Sequence, residues 1–159
     1  MGDRRPYSGP VVGVRLASVD EREPHVFLET MLADALRGDD DDRKVPAAVT
    51  GRWRNRLGST MELTVGDNHQ IHGTYHAVMG EVNPTLPFPV VGFIEGEAVS
   101  FCVDFGRRGS VASWAGHHLH DEQGERLVTL WHLARPVEVT GAVDVSRAML
   151  AGADEFVRI

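Results

Sequence analysis

The sequence predicts an all-β fold, an eight-stranded antiparallel up-and-down β-barrel preceded by an N-terminal extension that contains one amphipathic helix. From Val49 onward, apolar residues recur at a period of two in short runs, as expected of strands with one buried face. Turn clusters at Gly66-Asp67-Asn68, Glu95-Gly96-Glu97, Gly106 to Gly109 and Asp121 to Gly124 separate those runs at hairpin intervals. Successive hairpins pair strands in sequence order, and closing the sheet removes the exposed edges of a flat meander. Eight strands enclose an interior just wide enough for packed side chains or one small ligand.

The 159 residues suffice for one domain with a real core plus an appendage, which divides the chain into an extension over 1–46 and a barrel over 47–159. Sixteen Lys and Arg against 23 Asp and Glu leave a net charge of −7, which disfavours nucleic acid as a partner. Cys102 is the sole cysteine, so no intramolecular disulfide forms. Met1 to Pro10 is polar and lacks the apolar centre of a signal peptide, and no apolar run approaches membrane-spanning length. The expectation is a soluble, cytoplasmic protein without membrane contact, unless a leader has been removed.

Within the extension, Val12, Val14 and Leu16 alternate with Gly13 and Arg15 as in a short strand. Over about 24–37 the spacing changes to three and four: Phe27 and Leu28, Met31 and Leu32, Ala35 and Leu36 form a helical stripe. Pro24 suits its first turn and Gly38 its end, and Asp39 to Asp42 read as a solvated linker. Such a helix docks on the main domain or serves it as a lid.

The barrel strands are expected near 49–56, 60–66, 70–78, 89–95, 98–105, 110–119, 126–134 and 153–158. On the first, Trp53, Asn55 and Leu57 share a face; on the third, Ile71, Gly73, Tyr75 and Ala77 do. Phe101, Val103 and Phe105 follow on the fifth, Ser110, Ala112, Trp114 and Gly116 on the sixth, and Leu127, Thr129, Trp131 and Leu133 on the seventh. The inner wall is therefore aromatic with a few hydroxyls, a lining that suits an apolar ring with one polar end. The plainer reading makes these aromatics core filling. An amide at Asn55 and a hydroxyl at Ser59 are costly inside a barrel unless something hydrogen-bonds them, and a ligand is one such partner.

The motif Gly51-x-Trp53-x-Asn55-x-Leu57-Gly58-Ser59-Thr60-Met61 is followed by Gly73-Thr74-Tyr75, Ser113-Trp114-x-Gly116, Thr129-Leu130-Trp131-His132-Leu133 and Asp154-x-Phe156. In order and spacing this series resembles the avidin and streptavidin family, from Val49 to the C-terminus, and the middle of the chain is similar to the dimeric bacterial members. Nothing in Met1 to Ala48 resembles it. The resemblance implies a barrel that binds biotin at one end, with Asn55, Ser59 and Tyr75 donating to a urea carbonyl and Asp154 accepting from a urea N–H. It also implies that Trp114, Trp131 and Leu133 wall in the ring system, that Leu57 belongs to the ligand-binding set and that Ser110 lies near the ligand's side chain. No cofactor is implied beyond biotin as ligand.

Three positions depart from the family pattern: Ala77 lacks a hydroxyl that accepts from the second urea N–H, Ala112 replaces a Thr, and Phe105 replaces a wall Trp. All three tryptophans are used, so the loop from Arg135 to Gly152 has none to lend to a neighbour's pocket. The expectation is binding weaker than in tetrameric avidins, by a monomer or a homodimer, since a lost hydrogen bond costs about 1 kcal/mol and a lost Trp wall about 2 kcal/mol or more.

Gly116-His117-His118-Leu119-His120-Asp121-Glu122 invites a metal reading, but His117 faces away from His118 and His120, so no metal ligands are assigned. Cys102 is expected to point outward as an inert packing residue. No nucleophile motif or phosphate loop is present. The alternative is an enzyme on the same barrel, a cyclase of a polyketide-type product. In it the aromatic pocket holds a larger substrate, the helix closes over it, and Tyr75, Asn55 or Asp154 polarises a carbonyl.

Overall fold

The computed structural model describes residues 48–78, 87–106, 109–136 and 149–159; the expected helix, the short strand around Val12 and the acidic linker lie outside them. Eight strands follow one another: β1 (Gly51–Asn55), β2 (Thr60–Val65), β3 (Gln70–His76), β4 (Pro87–Glu95), β5 (Ala98–Asp104), β6 (Val111–Asp121), β7 (Gly124–Ala134) and β8 (Met149–Arg158). Each pairs antiparallel with its neighbours in sequence, and β8 returns to β1 to close the barrel.

Alternation along each strand sorts the side chains as expected. On β5, Val99, Phe101 and Val103 are buried while Ala98, Ser100, Cys102 and Asp104 face out. Trp53, Met61, Leu63, Ile71, Phe101 and Phe156 fill the interior with almost no exposure, each large side chain contributing roughly 2–3 kcal/mol. Two close approaches need glycine. A Cβ on Gly116 would meet the Val128 carbonyl and stand 2.7 Å from Thr129 Cα, and one on Gly92 would stand 2.7 Å from Phe101 Cα.

Several boundaries differ from the sequence expectation, with extensions at β4, at the β6–β7 hairpin and at β8, and ends one or two residues shorter on β1, β2, β3, β5 and β6. β4 starts at Pro87, because Pro87 and Pro89 pair only with β3 and the β5 ladder begins at Val90, so their missing N–H groups face no acceptor on that side. The β6–β7 hairpin extends to Asp121 and Gly124, where Asp121 Oδ1 accepts from Gln123 N at 2.8 Å and Gly124 takes φ of 100°. β8 starts at Met149 because Met149 to Ala153 pair in register with Ala134 to Leu130, a tertiary pairing that the small residues Ala151, Gly152 and Ala153 do not announce.

One end of the barrel is plugged. Trp53 Nε1 donates to the Val49 carbonyl at 2.9 Å, the His118 ring stands edge-on to Trp53 at 5.9 Å, and the Arg158 guanidinium covers the indole at 4.4 Å. Arg158 also bonds Glu125 and the carbonyls of Thr50 and Ala48, fastening the C-terminal strand to the start of β1.

Candidate ligand-binding site

The opposite end carries the polar residues. Asn55 closes β1, Ser59 ends the following turn, Tyr75 lies near the end of β3, and Asp154 sits within β8. Asn55 organises them. Its Oδ1 accepts from Leu57 N at 3.1 Å and Ser59 N at 2.9 Å, which aims Nδ2 at Asp154 Oδ2, 2.9 Å away. With two N–H donors on the oxygen, the amide has only one satisfactory orientation.

That turn also corrects one expectation. Leu57 was grouped with Trp53 and Asn55 on one inward face, but extended backbone ends at Asn55 and Leu57 is 72% exposed. An Asx-type turn, in which the Asn55 side chain captures the next N–H groups, rotates Leu57 out of the strand's alternation.

Ser59 and Tyr75 are both buried, and Ser59 Oγ accepts from Val78 N at 3.1 Å. Burial raises the Tyr75 pKa, the nearby Ser59 hydroxyl works against the rise, and the charge of Asp154 adds to it. The phenol is therefore a neutral donor at any ordinary pH. Burial likewise raises Asp154, opposed by Asn55 Nδ2, the Glu155 N–H, Trp114 and Arg56. The Trp114 indole N–H helps to lower Asp154, yet its geometry is outside that of a regular hydrogen bond, and it is buried without another partner among the described residues.

Aromatic rings form the floor and one wall. Trp114 stacks on Phe101 with centroids 5.3 Å apart and planes 13° apart, and Tyr75 leans on Trp114 at 5.7 Å. Phe105 meets Tyr75 at 6.3 Å and Phe88 at 5.0 Å. Ala112 is buried, while Ala77, Phe105, Trp131 and Leu133 pack half-buried on the core. Trp131 lies over Gly152, where a Cβ would stand 2.7 Å from its ring. Ser110 sits half-buried at the rim, its carbonyl accepting from Phe105 N at 3.0 Å. The strand order thus brings Asn55, Ser59, Tyr75, Ala77, Phe105, Ser110, Ala112, Trp114, Trp131, Leu133 and Asp154 to one end or wall of the interior.

Two contributors were not singled out from sequence. Phe88 lies between prolines that obscure the start of β4, although Phe88, Val90, Gly92 and Ile94 keep the period of two. Thr129 Oγ1 donates to the Asp154 carbonyl at 3.1 Å and pins β8 beside its carboxylate. The histidine run separates: His117 is exposed on the outer face, His118 is buried at the plugged end, and His120 is 72% exposed. Among the described residues no three His, Cys, Asp or Glu side chains group as a metal site. Cys102 is exposed on the outer face, as expected.

A closed barrel plugged at one end, with convergent polar groups and aromatic walls at the other, defines a small-molecule-binding cup. A sequence model described as the avidin family matches residues 43–159, starting before the Val49 boundary expected from the motifs, and the chain belongs to that family. It is 31% identical over 140 residues to afifavidin of Afifella pfennigii, covering 81% of this chain and 86% of that protein. Among solved structures it is similar to xenavidin, with a TM-score of 0.62 and 27% identity over 72% of this chain and 100% of the other. A biotin-binding protein from chicken superposes with a TM-score of 0.61 at 25% identity, over 72% of this chain and 98% of that one.

Proposed function

We propose that this chain binds biotin or a related cyclic urea in the open end of the barrel, with lower affinity than tetrameric avidins and without performing chemistry. The observation that carries the reading is the convergence of Asn55, Ser59, Tyr75 and Asp154, from four separate segments, at one end of the barrel above an aromatic floor, with Asn55 bonded to both Asp154 and Ser59 N. Asn55 Nδ2 and the hydroxyls of Ser59 and Tyr75 donate to the ligand carbonyl, and Asp154 accepts from a ring N–H. Several donors on one oxygen favour the polarised form of the urea, so that charge-assisted bonds replace those to water. Trp114, Trp131 and Leu133 bury the ring's apolar faces. The chicken protein of similar structure is a biotin-binding protein, which supports the reading. The comparisons give the cyclase alternative no support. Calorimetric titration with biotin tests the proposal.

The reading extends to a homodimer. On the outer face, Phe93 and Leu130, 63% and 62% exposed, stand on either side of Ser100 and Ala115, with Ala153 beyond Leu130, along a groove of about 900 Å³. Large apolar knobs beside a floor of small residues suit a two-fold, self-complementary contact with a second copy.

A further inference from the structure

Two dense clusters of opposite charge lie on either side of the point where the barrel begins. Asp39 to Asp42 is the one run of four successive acids in the sequence, and Arg52, Arg54 and Arg56 alternate along β1 and into the turn after it. Trp53 and Asn55 take the inner positions, so all three arginines are exposed on the outside. Arg126 and Arg158 are paired with carboxylates, whereas Arg52, Arg54 and Arg56 meet none from the described residues. Glu62 stands opposite Arg52 in register, and Arg54 has Thr60 and Val157 as its neighbours. The charge of Arg56 acts on Asp154, which places that end of the row at the open mouth. Same-face residues on a strand repeat at about 7 Å, so the three guanidinium groups repel one another unless anions lie along them.

The acidic run has the reach to supply those anions. Ala48 is held at the plugged end, where Arg158 bonds its carbonyl. Asp42 lies six residues before Ala48 and Asp39 nine. An extended chain carries them up to about 20 and 30 Å from that point. β1 leads from the plugged end toward the open one, and Arg52 to Arg56 stand about 13 to 26 Å along it from Ala48. A run that doubles back along β1 therefore matches the row in length and in charge. The outer face of β4 and β7 instead presents Val91, Phe93 and Leu130, against which carboxylates would lose hydration without gaining a partner. Residues 24–37 precede the run, so docking carries their apolar stripe to the open end, where Leu57 and Val78 are exposed at the rim.

We infer that Asp39 to Asp42 dock along Arg52, Arg54 and Arg56, strapping the N-terminal extension to the outside of β1 so that the apolar stripe of residues 24–37 meets the rim of the cup. The docking stands apart from the identity of the ligand.

Disulfide trapping in the full-length chain tests the strap without any ligand. In a Cys102→Ser background, which carries no other thiol, Asp40→Cys is combined with Arg54→Cys. Its control is Asp40→Cys with Glu122→Cys, exposed on the β6–β7 hairpin at the end where Ala48 is held. Under mild oxidation the first pair should close within one chain about fivefold or more faster than the control, because docking raises the local thiol concentration. Adding Arg52→Glu and Arg56→Glu should remove that advantage, and adding Asp39→Lys, Asp41→Lys and Asp42→Lys as well should restore it. Leu36→Cys should likewise close on Leu57→Cys faster than on Glu122→Cys. Closure no faster than the control, an advantage that survives the reversal of Arg52 and Arg56, or cross-links between two chains only would overturn the docking. If the Asp40→Cys and Arg54→Cys pair closes ahead of its control but Leu36→Cys shows no preference for Leu57→Cys, the contact with the rim falls.

Discussion

Asn55 donates its amide to the carboxylate of Asp154 at 2.9 Å across the seam where β8 closes on β1, joining residues 99 apart in sequence. The same side chain holds the turn that presents Ser59. Closure of the barrel and assembly of the site are thus one set of bonds. Asn55→Ala removes the tie to Asp154 and leaves two turn N–H groups unpaired. Urea denaturation should show a loss of about 2 kcal/mol or more, with weaker biotin binding in parallel.

Tyr75→Phe separates binding from folding. The variant loses one donor to the ligand carbonyl, so biotin affinity should fall by about 1–2 kcal/mol in a calorimetric titration. Ser59 keeps its bond to Val78 N, so folding stability should change by about 1 kcal/mol or less. An unchanged affinity would contradict the placement of the ligand carbonyl.

His118 gives the fold a pH dependence of defined sign. Burial lowers its pKa below the ordinary histidine value, with Glu125 opposing the shift and Arg158 and His120 reinforcing it. The unfolded chain therefore takes up this proton at higher pH than the folded one. The associated stability is full above the ordinary histidine pKa and is lost as the pH falls from about 6.5 toward the folded value. Denaturation profiles between about pH 5 and 8 should show this step in the wild type, and His118→Gln should flatten it.

Asp154 gives ligand binding a separate dependence. Burial raises its pKa, so on acidification the carboxylate is lost as an acceptor earlier than an exposed aspartate would be. Its folded pKa lies above the unfolded one, so the same protonation stabilises the empty fold. Biotin affinity should fall on the acid side while this group's share of folding stability rises, and Asp154→Asn should bind weakly across the whole range.

The outer groove predicts the assembly state. Phe93 and Leu130 should lie at the contact between two copies, so Leu130→Glu should convert the dimer to a monomer in sedimentation velocity without unfolding the barrel. A wild-type protein that sediments as a monomer at micromolar concentration would contradict the interface.

Much of this architecture is legible in the sequence because a half-buried strand writes its burial directly into residue order. The alternation of Val99, Phe101 and Val103 with exposed neighbours fixed both the strand and its inner face. What escaped depends on partners distant in the chain. The start of β8 is set by pairing with β7, and that of β4 by which side of Pro87 and Pro89 needs an N–H. Leu57 was misplaced for a local reason: period two assumes extended backbone, and the Asn55 side chain ends it. The avidin-like motif pointed to Asn55, Ser59, Tyr75 and Asp154, which the fold brings to one end of the barrel. Thr129 was visible only as a wall residue, because its bond to the Asp154 carbonyl depends on the β7–β8 register.

Titration of biotin into the full-length protein by calorimetry tests the central claim most directly. The account predicts saturable binding of one biotin per chain with a nanomolar to micromolar Kd, lost in Asp154→Ala. Absence of heat, together with no rise in the thermal midpoint at saturating biotin, would contradict it.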